Sequence, residues 1–89
     1  IANNAGLVTL TLPATGSLGD TIQVVGKGSG LFKIAQNAGQ TINFSSSSTT
    51  TGASGSITSI EQFAGLELIC TTANTGWTAV DSIGNFTIV

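Results

Sequence analysis

Residues 7–12 read LVTLTL, and the order of side chains in this stretch decides the kind of fold that the chain forms. In an extended strand successive side chains point to opposite faces, so alternate residues share a face. One face then carries Val8, Leu10 and Leu12, and the other carries Leu7, Thr9 and Thr11. Pro13 follows and cannot donate to a β-ladder, so the strand is predicted to end there. The stretch therefore predicts a strand with one buried face.

The same period of two recurs along the rest of the chain, with Gly and Asn between the runs. No window keeps apolar residues at a helical spacing, and strong helix formers are scarce. The sequence thus predicts an all-β fold of about eight short, mostly antiparallel strands in a β-prism or sandwich-like unit, as a single domain over residues 1–89. Closed prism, sandwich and intertwined trimer all accept the pattern. The predicted strands cover residues 7–12, 21–25, 32–36, 41–44, 57–60, 66–70, 77–80 and 85–89.

One segment interrupts this rhythm, since residues 45–57 read SSSSTTTGASGSI and consist almost entirely of Ser, Thr and Gly. A flexible linker of this composition needs an independent core on each side, and the flanking strands are too few to build two. Threonine has good strand propensity and pairs well across strands. The segment is predicted to be a polar strand or a wide ordered turn, with Gly52 and Gly55 at the corner. The alternative is a mobile loop.

Charged residues make up only 7% of the 89 residues, against about 25% in an average globular domain. The only cations are Lys27 and Lys33, and the formal net charge is −2. Nucleic-acid binding needs many phosphate contacts from Lys and Arg, so nucleic acid is not expected as a partner. The apolar runs are too short to span a bilayer, so no membrane insertion is expected.

The residues that could carry catalysis are few, because the chain has no His and four carboxylates. Asp20, Glu61, Glu67 and Asp81 fall on separate predicted elements, and each suits a turn or a solvated strand face. Glu61 and Glu67 approach each other only if the fold brings them together. Catalysis also requires a nucleophile with an activating partner, so the chain is predicted not to be an enzyme and no catalytic residue is assigned.

Cofactor and metal sites are also not indicated. Residues 26–30 read GKGSG, which fits neither the Walker nor the dinucleotide pattern, and a hairpin turn with positive-φ glycines is predicted there instead. Cys70 shares a face with Leu66 and Leu68 and is predicted to be a small buried side chain, with a reactive or intermolecular thiol as the alternative. One Cys without His does not supply a zinc or iron set.

The aromatic residues are one Trp and four Phe. A surface Trp is a common platform for stacking on sugars, whereas a chain with so few large side chains needs its aromatics for packing. Packing in the core or between subunits is therefore predicted for them, with ligand contact as the alternative. The five residues are Phe32, Phe44, Phe63, Trp77 and Phe86.

Four segments together resemble the β repeats of phage tail-fibre and related virion or bacterial surface-fibre proteins. They are GDTIQV at residues 19–24, FKIAQNAGQTI at 32–42, LELIC at 66–70 and GWTAVDS at 76–82. The resemblance extends over residues 3–84 and implies a β-rich, typically trimeric unit that serves as a shaft or receptor-facing module. Leu31 and Phe32 stand where these repeats carry a Trp, so no ligand-binding residue is transferred.

The expected function is therefore a non-enzymatic structural or adhesive module of an extracellular fibre or virion appendage. Its expected partners are copies of itself, in a homotrimer or filament, with a host-surface glycan or receptor at a receptor-facing end. A second hypothesis is a filament subunit in which a terminal strand, residues 1–12 or 85–89, completes a neighbour's sheet. A third is a monomeric carbohydrate-binding module that uses Trp77. A small chain with so few charges is expected to bury apolar faces and strand edges against its own copies.

Overall fold

The computed structural model describes residues 1–89 and contains nine strands and no helix. This confirms the all-β class, and each of the eight predicted strands is present. The ninth, β5, lies in the hydroxyl-rich segment. The strands are β1 (Val8–Thr11), β2 (Thr21–Val25), β3 (Phe32–Ala35), β4 (Thr41–Phe44), β5 (Ser47–Ser48), β6 (Ser56–Ser59), β7 (Gly65–Thr72), β8 (Gly76–Ile83) and β9 (Phe86–Ile88).

The strands form two sheets that pack face to face as a sandwich. The four-stranded sheet has the order β1-β3-β6-β9, and the five-stranded sheet has the order β2-β7-β8-β4-β5. Two pairs, β1 with β3 and β4 with β8, are parallel, and the other pairs are antiparallel. The sandwich is one of the arrangements that the alternating pattern left open.

The core lies between the sheets and takes the predicted inner faces of both. Its largest fully buried side chains include Phe32 and Ile57 from the four-stranded sheet and Ile42, Leu68 and Trp77 from the five-stranded sheet. Apolar side chains at alternate strand positions supply this core, and their removal from water is the main favourable term in folding. One aromatic contact joins the sheets: the Phe86 ring centroid lies 5.7 Å from that of Phe44 in the five-stranded sheet. The Phe86 centroid also lies 6.1 Å from that of Phe32 in its own sheet.

Most connections cross from one sheet to the other, and only β4–β5 and β7–β8 join neighbours within a sheet. The predicted hairpin at residues 26–30 is therefore wrong, because β2 and β3 belong to different sheets. None of the three glycines there has a positive φ; Leu31 does, at 68°. The three glycines instead let other backbone segments approach closely. A Cβ at Gly30, for example, would lie 2.0 Å from the Gly6 carbonyl oxygen. The N-terminal segment packs directly onto this loop.

The hydroxyl-rich segment is ordered by a buried glutamine. Gln36 Nε2 donates to the carbonyl oxygens of Gln40, Thr50 and Gly52, at 2.7, 3.1 and 3.0 Å. The Thr49 hydroxyl donates to Gln36 Oε1 and accepts from the Ile42 backbone N–H. The predicted corner is present. Gly52 has φ +107°, and a Cβ at Gly55 would lie 2.0 Å from the Thr50 carbonyl oxygen. The prediction of an ordered strand and turn is confirmed.

β1 is an edge strand, so its inner face is only partly covered. Its register pairs Val8 with Phe32 and Leu10 with Ile34, so the face predicted to be buried points at the core. Leu12 is buried, but Leu10 remains 38% exposed because no strand lies beyond β1.

Candidate functional site

The carboxylates predicted to have structural roles occupy the kinds of position expected. Asp20 Oδ2 accepts the Ser17 backbone N–H at 2.9 Å, which makes it a turn residue. Glu61 Oε1 accepts the Asn85 backbone N–H at 2.6 Å and so joins two loops. The structure does not bring Glu61 and Glu67 together as a pair.

The structure does bring together two carboxylates that the sequence analysis kept apart. Glu67 on β7 lies directly opposite Asp81 on β8, and on its other side it lies opposite Gln23 on β2. Gln23 Nε2 donates to Glu67 Oε2 at 2.7 Å. Like charges opposite each other on neighbouring strands are unfavourable. The three residues form an acidic row on the outer face of the five-stranded sheet.

A groove begins at this acidic row. In the adjacent row, Gly65 on β7 lies between Val25 on β2 and Ile83 on β8. Because Gly65 has no side chain, it leaves a trough whose walls are two exposed apolar residues: Val25 is 46% and Ile83 70% exposed. The groove has a volume of about 350 Å³, and Gln23, Glu67 and Asp81 line one end. Ile1 also lines the groove, which thus combines apolar walls with a negative end.

The outer face of the four-stranded sheet carries a positive charge instead of negative ones. One row across it consists of Thr9, Lys33, Thr58 and Thr87 on β1, β3, β6 and β9. The neighbouring residues Phe32 and Ile34 point into the core, so Lys33 points outward. The row is hydroxyl-rich, with a single, half-buried cation near its centre. Of the six charged residues in the chain, Lys33 is the only cation on a strand.

A second groove lies between the edge strands β1 and β2, which belong to different sheets. It has a volume of about 330 Å³ and is mostly apolar. Neither edge carries a charged residue, although charges and Pro are the usual means of blocking an edge. The open mouth of the sandwich is therefore a surface on which an extended segment can pair. The strand residues that line it are Leu10, Thr11, Ile22, Gln23, Val24 and Ile34.

Trp77 is a core residue and offers no platform for a ligand. Its side chain is 1% exposed, which confirms the packing role and contradicts a sugar-stacking role for this ring. Its Nε1–H is buried without a hydrogen-bond partner. Cys70 is also buried, as predicted, and its Sγ lies 3.3 Å from the Thr72 carbonyl oxygen. Phe63 is 68% exposed and is the most exposed aromatic side chain.

No group of three or more His, Cys, Asp or Glu side chains is placed to hold a metal ion. None of the chain forms a helix long and apolar enough to cross a membrane. Protein-family models, curated proteins and solved structures show no match to this chain.

Proposed function

We propose that this chain is a non-enzymatic structural module of an extracellular fibre, such as a phage tail fibre or bacterial surface fibre, that is completed by copies of itself. One observation carries the proposal: ten large apolar side chains are substantially exposed on a surface that has only six charged residues. Val25 and Ile83 lie on either side of Gly65 on one sheet face, and exposed apolar patches of this kind are typical of protein interfaces. Among the ten are Leu18, Val25, Phe63, Val80 and Ile83.

The distribution of these residues supports association on more than one side. Val25, Val80 and Ile83 are on strands of the five-stranded sheet, whereas Phe63 is in the connection between β6 and β7. A soluble monomer usually replaces such residues with Lys or Glu, but this surface is polar mainly through Ser and Thr. Hydroxyl-rich faces hydrogen-bond readily and are cheaper to desolvate than charged ones. Such a surface suits a chain that is buried between neighbours.

Light scattering coupled to size-exclusion chromatography, over a hundredfold range of concentration, tests the proposal. A discrete oligomer, with a trimer as the expected species, or a concentration-dependent polymer agrees with it. Electron microscopy then shows whether the particles are short rods or continuous fibres. A compact species that stays monomeric across the whole range contradicts the proposal.

The groove between β1 and β2 favours a second candidate function, a filament subunit assembled by strand exchange. In that arrangement a terminal strand of one copy occupies the groove of the next and pairs with the uncharged edges. A synthetic peptide of residues 7–12 or 85–89 should then compete with the neighbour's strand and shorten the filaments. A closed oligomer that is unaffected by either peptide supports the fibre module over this candidate.

A further inference from the structure

The two outer faces of the sandwich carry strand charges of opposite sign. On the five-stranded sheet, Glu67 and Asp81 are paired with each other in register and no cation lies in the same row. On the four-stranded sheet, Lys33 is the only charged residue on any strand. Because the two sheets pack through their inner faces, these charged rows point in opposite directions away from the core.

We infer that the four-stranded face of one copy docks on the five-stranded face of the next, with the Lys33 side chain of one copy in the groove over Gly65 of the other. This inference rests on the proposed function and names its contact. The apolar stem of a lysine can lie against Val25 and Ile83 while its ammonium reaches the carboxylates, since lysine combines an apolar stem with a charged end. The occupant is thus a second copy of this chain.

Charge complementarity supports this choice of partner. The groove suits a cation on a flexible apolar stem, and Lys33 stands in a row with Thr9, Thr58 and Thr87, none of which is charged. A partner cation would also relieve the repulsion between Glu67 and Asp81. Within one chain the Gln23 amide donates to Glu67. Lys27, the other lysine, follows β2 in a loop and does not lie on a sheet face.

The contact joins two different surfaces, so it is heterologous. A heterologous contact closes into a ring when the rotation between copies allows it, and otherwise it continues as an open filament. Either result gives every Lys33 a partner except at the end of a filament. The same contact is thus compatible with a trimer and with a longer assembly.

Charge reversal on each face provides the main test, with the full chain measured by analytical ultracentrifugation. Lys33→Glu and the double variant Glu67→Lys with Asp81→Asn should each raise the dissociation constant at least about tenfold, because attraction becomes repulsion at a desolvated contact. An equimolar mixture of the two should form mixed dimers and alternating assemblies, since each variant then presents a face complementary to the other. A closed trimer of two kinds of chain keeps at least one mismatched contact, so the mixed dimer is the species that is scored. Lys27→Glu is the matched control, because it changes the net charge equally and should assemble as the unmodified chain does.

A steric test does not depend on charge. A Cβ at Gly65 meets only one backbone atom, the Val24 carbonyl oxygen at 3.8 Å, and Gly65 does not have a positive φ. Gly65→Val should therefore fold, because valine suits a strand better than glycine. At a dilution at which both chains are monomeric, its melting temperature should equal or exceed that of the unmodified chain. It should also fill the groove and raise the dissociation constant at least about tenfold.

The outcomes separate the inference from the proposed function. If the unmodified chain is monomeric at every concentration, both are wrong. If it assembles and Lys33→Glu or Gly65→Val assembles equally well, the docking contact is wrong and the fibre module stands. Failure of the mixture to form any mixed dimer or larger mixed complex, with both variants folded by circular dichroism, also overturns the contact. Should Lys33→Glu not fold, the result for Gly65→Val decides alone.

Discussion

Thr49 and Gln36 are joined by a buried hydrogen bond in which the Thr49 hydroxyl donates to Gln36 Oε1. Both side chains are at most 5% exposed, and they belong to separate parts of the chain, the end of β3 and the hydroxyl-rich segment. Gln36 also holds three carbonyl oxygens through its Nε2. One glutamine therefore supplies the order that a segment of Ser, Thr and Gly does not supply itself.

Replacing Gln36 with leucine should lower the free energy of unfolding by about 3 kcal/mol or more. The substitution keeps the size of the side chain but leaves the Thr50 carbonyl and the Thr49 hydroxyl proton without a partner, and each unsatisfied buried group costs about 1–3 kcal/mol. The carbonyls of Gln40 and Gly52 also lose Gln36 but keep the backbone N–H groups of Gly52 and Gly55. Chemical denaturation measures the loss. The expected local effect is faster hydrogen exchange at the amides of residues 50–55.

Gln62 provides the matched control for this prediction. It also donates to a backbone carbonyl, that of Lys27 at 3.1 Å, but it is exposed. Gln62→Leu should change stability by less than about 0.5 kcal/mol, because water replaces the lost donor. Equal losses for the two variants would mean that burial of the Gln36 network does not matter.

Trp77 combines a large buried ring with an unsatisfied N–H, and these two features act in opposite directions. Trp77→Ala should destabilise the fold by about 4 kcal/mol, because it leaves a cavity in the core. Trp77→Phe should cost less than about 1.5 kcal/mol, since removal of the unpaired donor offsets part of the lost contact. Thermal unfolding followed by circular dichroism measures both losses. A loss for phenylalanine as large as for alanine contradicts the account.

The strands could be predicted from the sequence because alternation is a local property. In residues 32–36, for example, the period of two places Gln36 on the same face as Phe32 and Ile34, and that face is the buried one. The pattern thus contained a signal for the buried glutamine. What it does not encode is the set of carbonyls around Gln36, because these come from a segment that is separate in sequence.

Pairing between strands could not be predicted, and the candidate docking site depends on it. Glu67 and Asp81 meet only because β7 and β8 pair across a register shift between Glu67 and Leu68. The glycines at residues 26–30 suggested a hairpin, since Gly is common in turns. Their actual role is to let distant backbone approach: the N-terminal segment at Gly28 and Gly30, and the connection between β6 and β7 at Gly26. Local patterns carry no information on such contacts.

Gly30 should not tolerate a side chain, whereas Gly6, which lies against it, should. Gly30→Ala places a Cβ 2.0 Å from the Gly6 carbonyl oxygen and 2.7 Å from the Ala5 carbonyl carbon, so the N-terminal segment must move. We expect a loss of about 2 kcal/mol or more, as for other forced overpacking. Gly6→Ala is the control, since its Cβ meets nothing within 4 Å. It should be neutral or slightly stabilising, and urea unfolding distinguishes the two results.

Gly16 lies over Trp77 and Cys70, so it controls access to the only thiol. A Cβ at Gly16 would lie 3.0 Å from Trp77 Cζ2 and 3.5 Å from Cys70 Sγ. Gly16→Ala should therefore displace the segment between β1 and β2 by a few tenths of an ångström. A cost of about 1 kcal/mol is expected from this overpacking. The segment between β1 and β2 covers one side of the core, so local opening should become more frequent in Gly16→Ala.

Labelling of Cys70 with a thiol reagent measures that opening directly. In the unmodified chain the thiol is 2% exposed and should react only when the protein opens, so its rate is slow and rises with denaturant. Gly16→Ala should accelerate labelling about fivefold, the factor that corresponds to a loss of about 1 kcal/mol in the opening free energy. The Gly6→Ala variant should label at the unmodified rate. An unchanged rate in Gly16→Ala would show that Cys70 is reached by another route, through the sheet edge or through global unfolding.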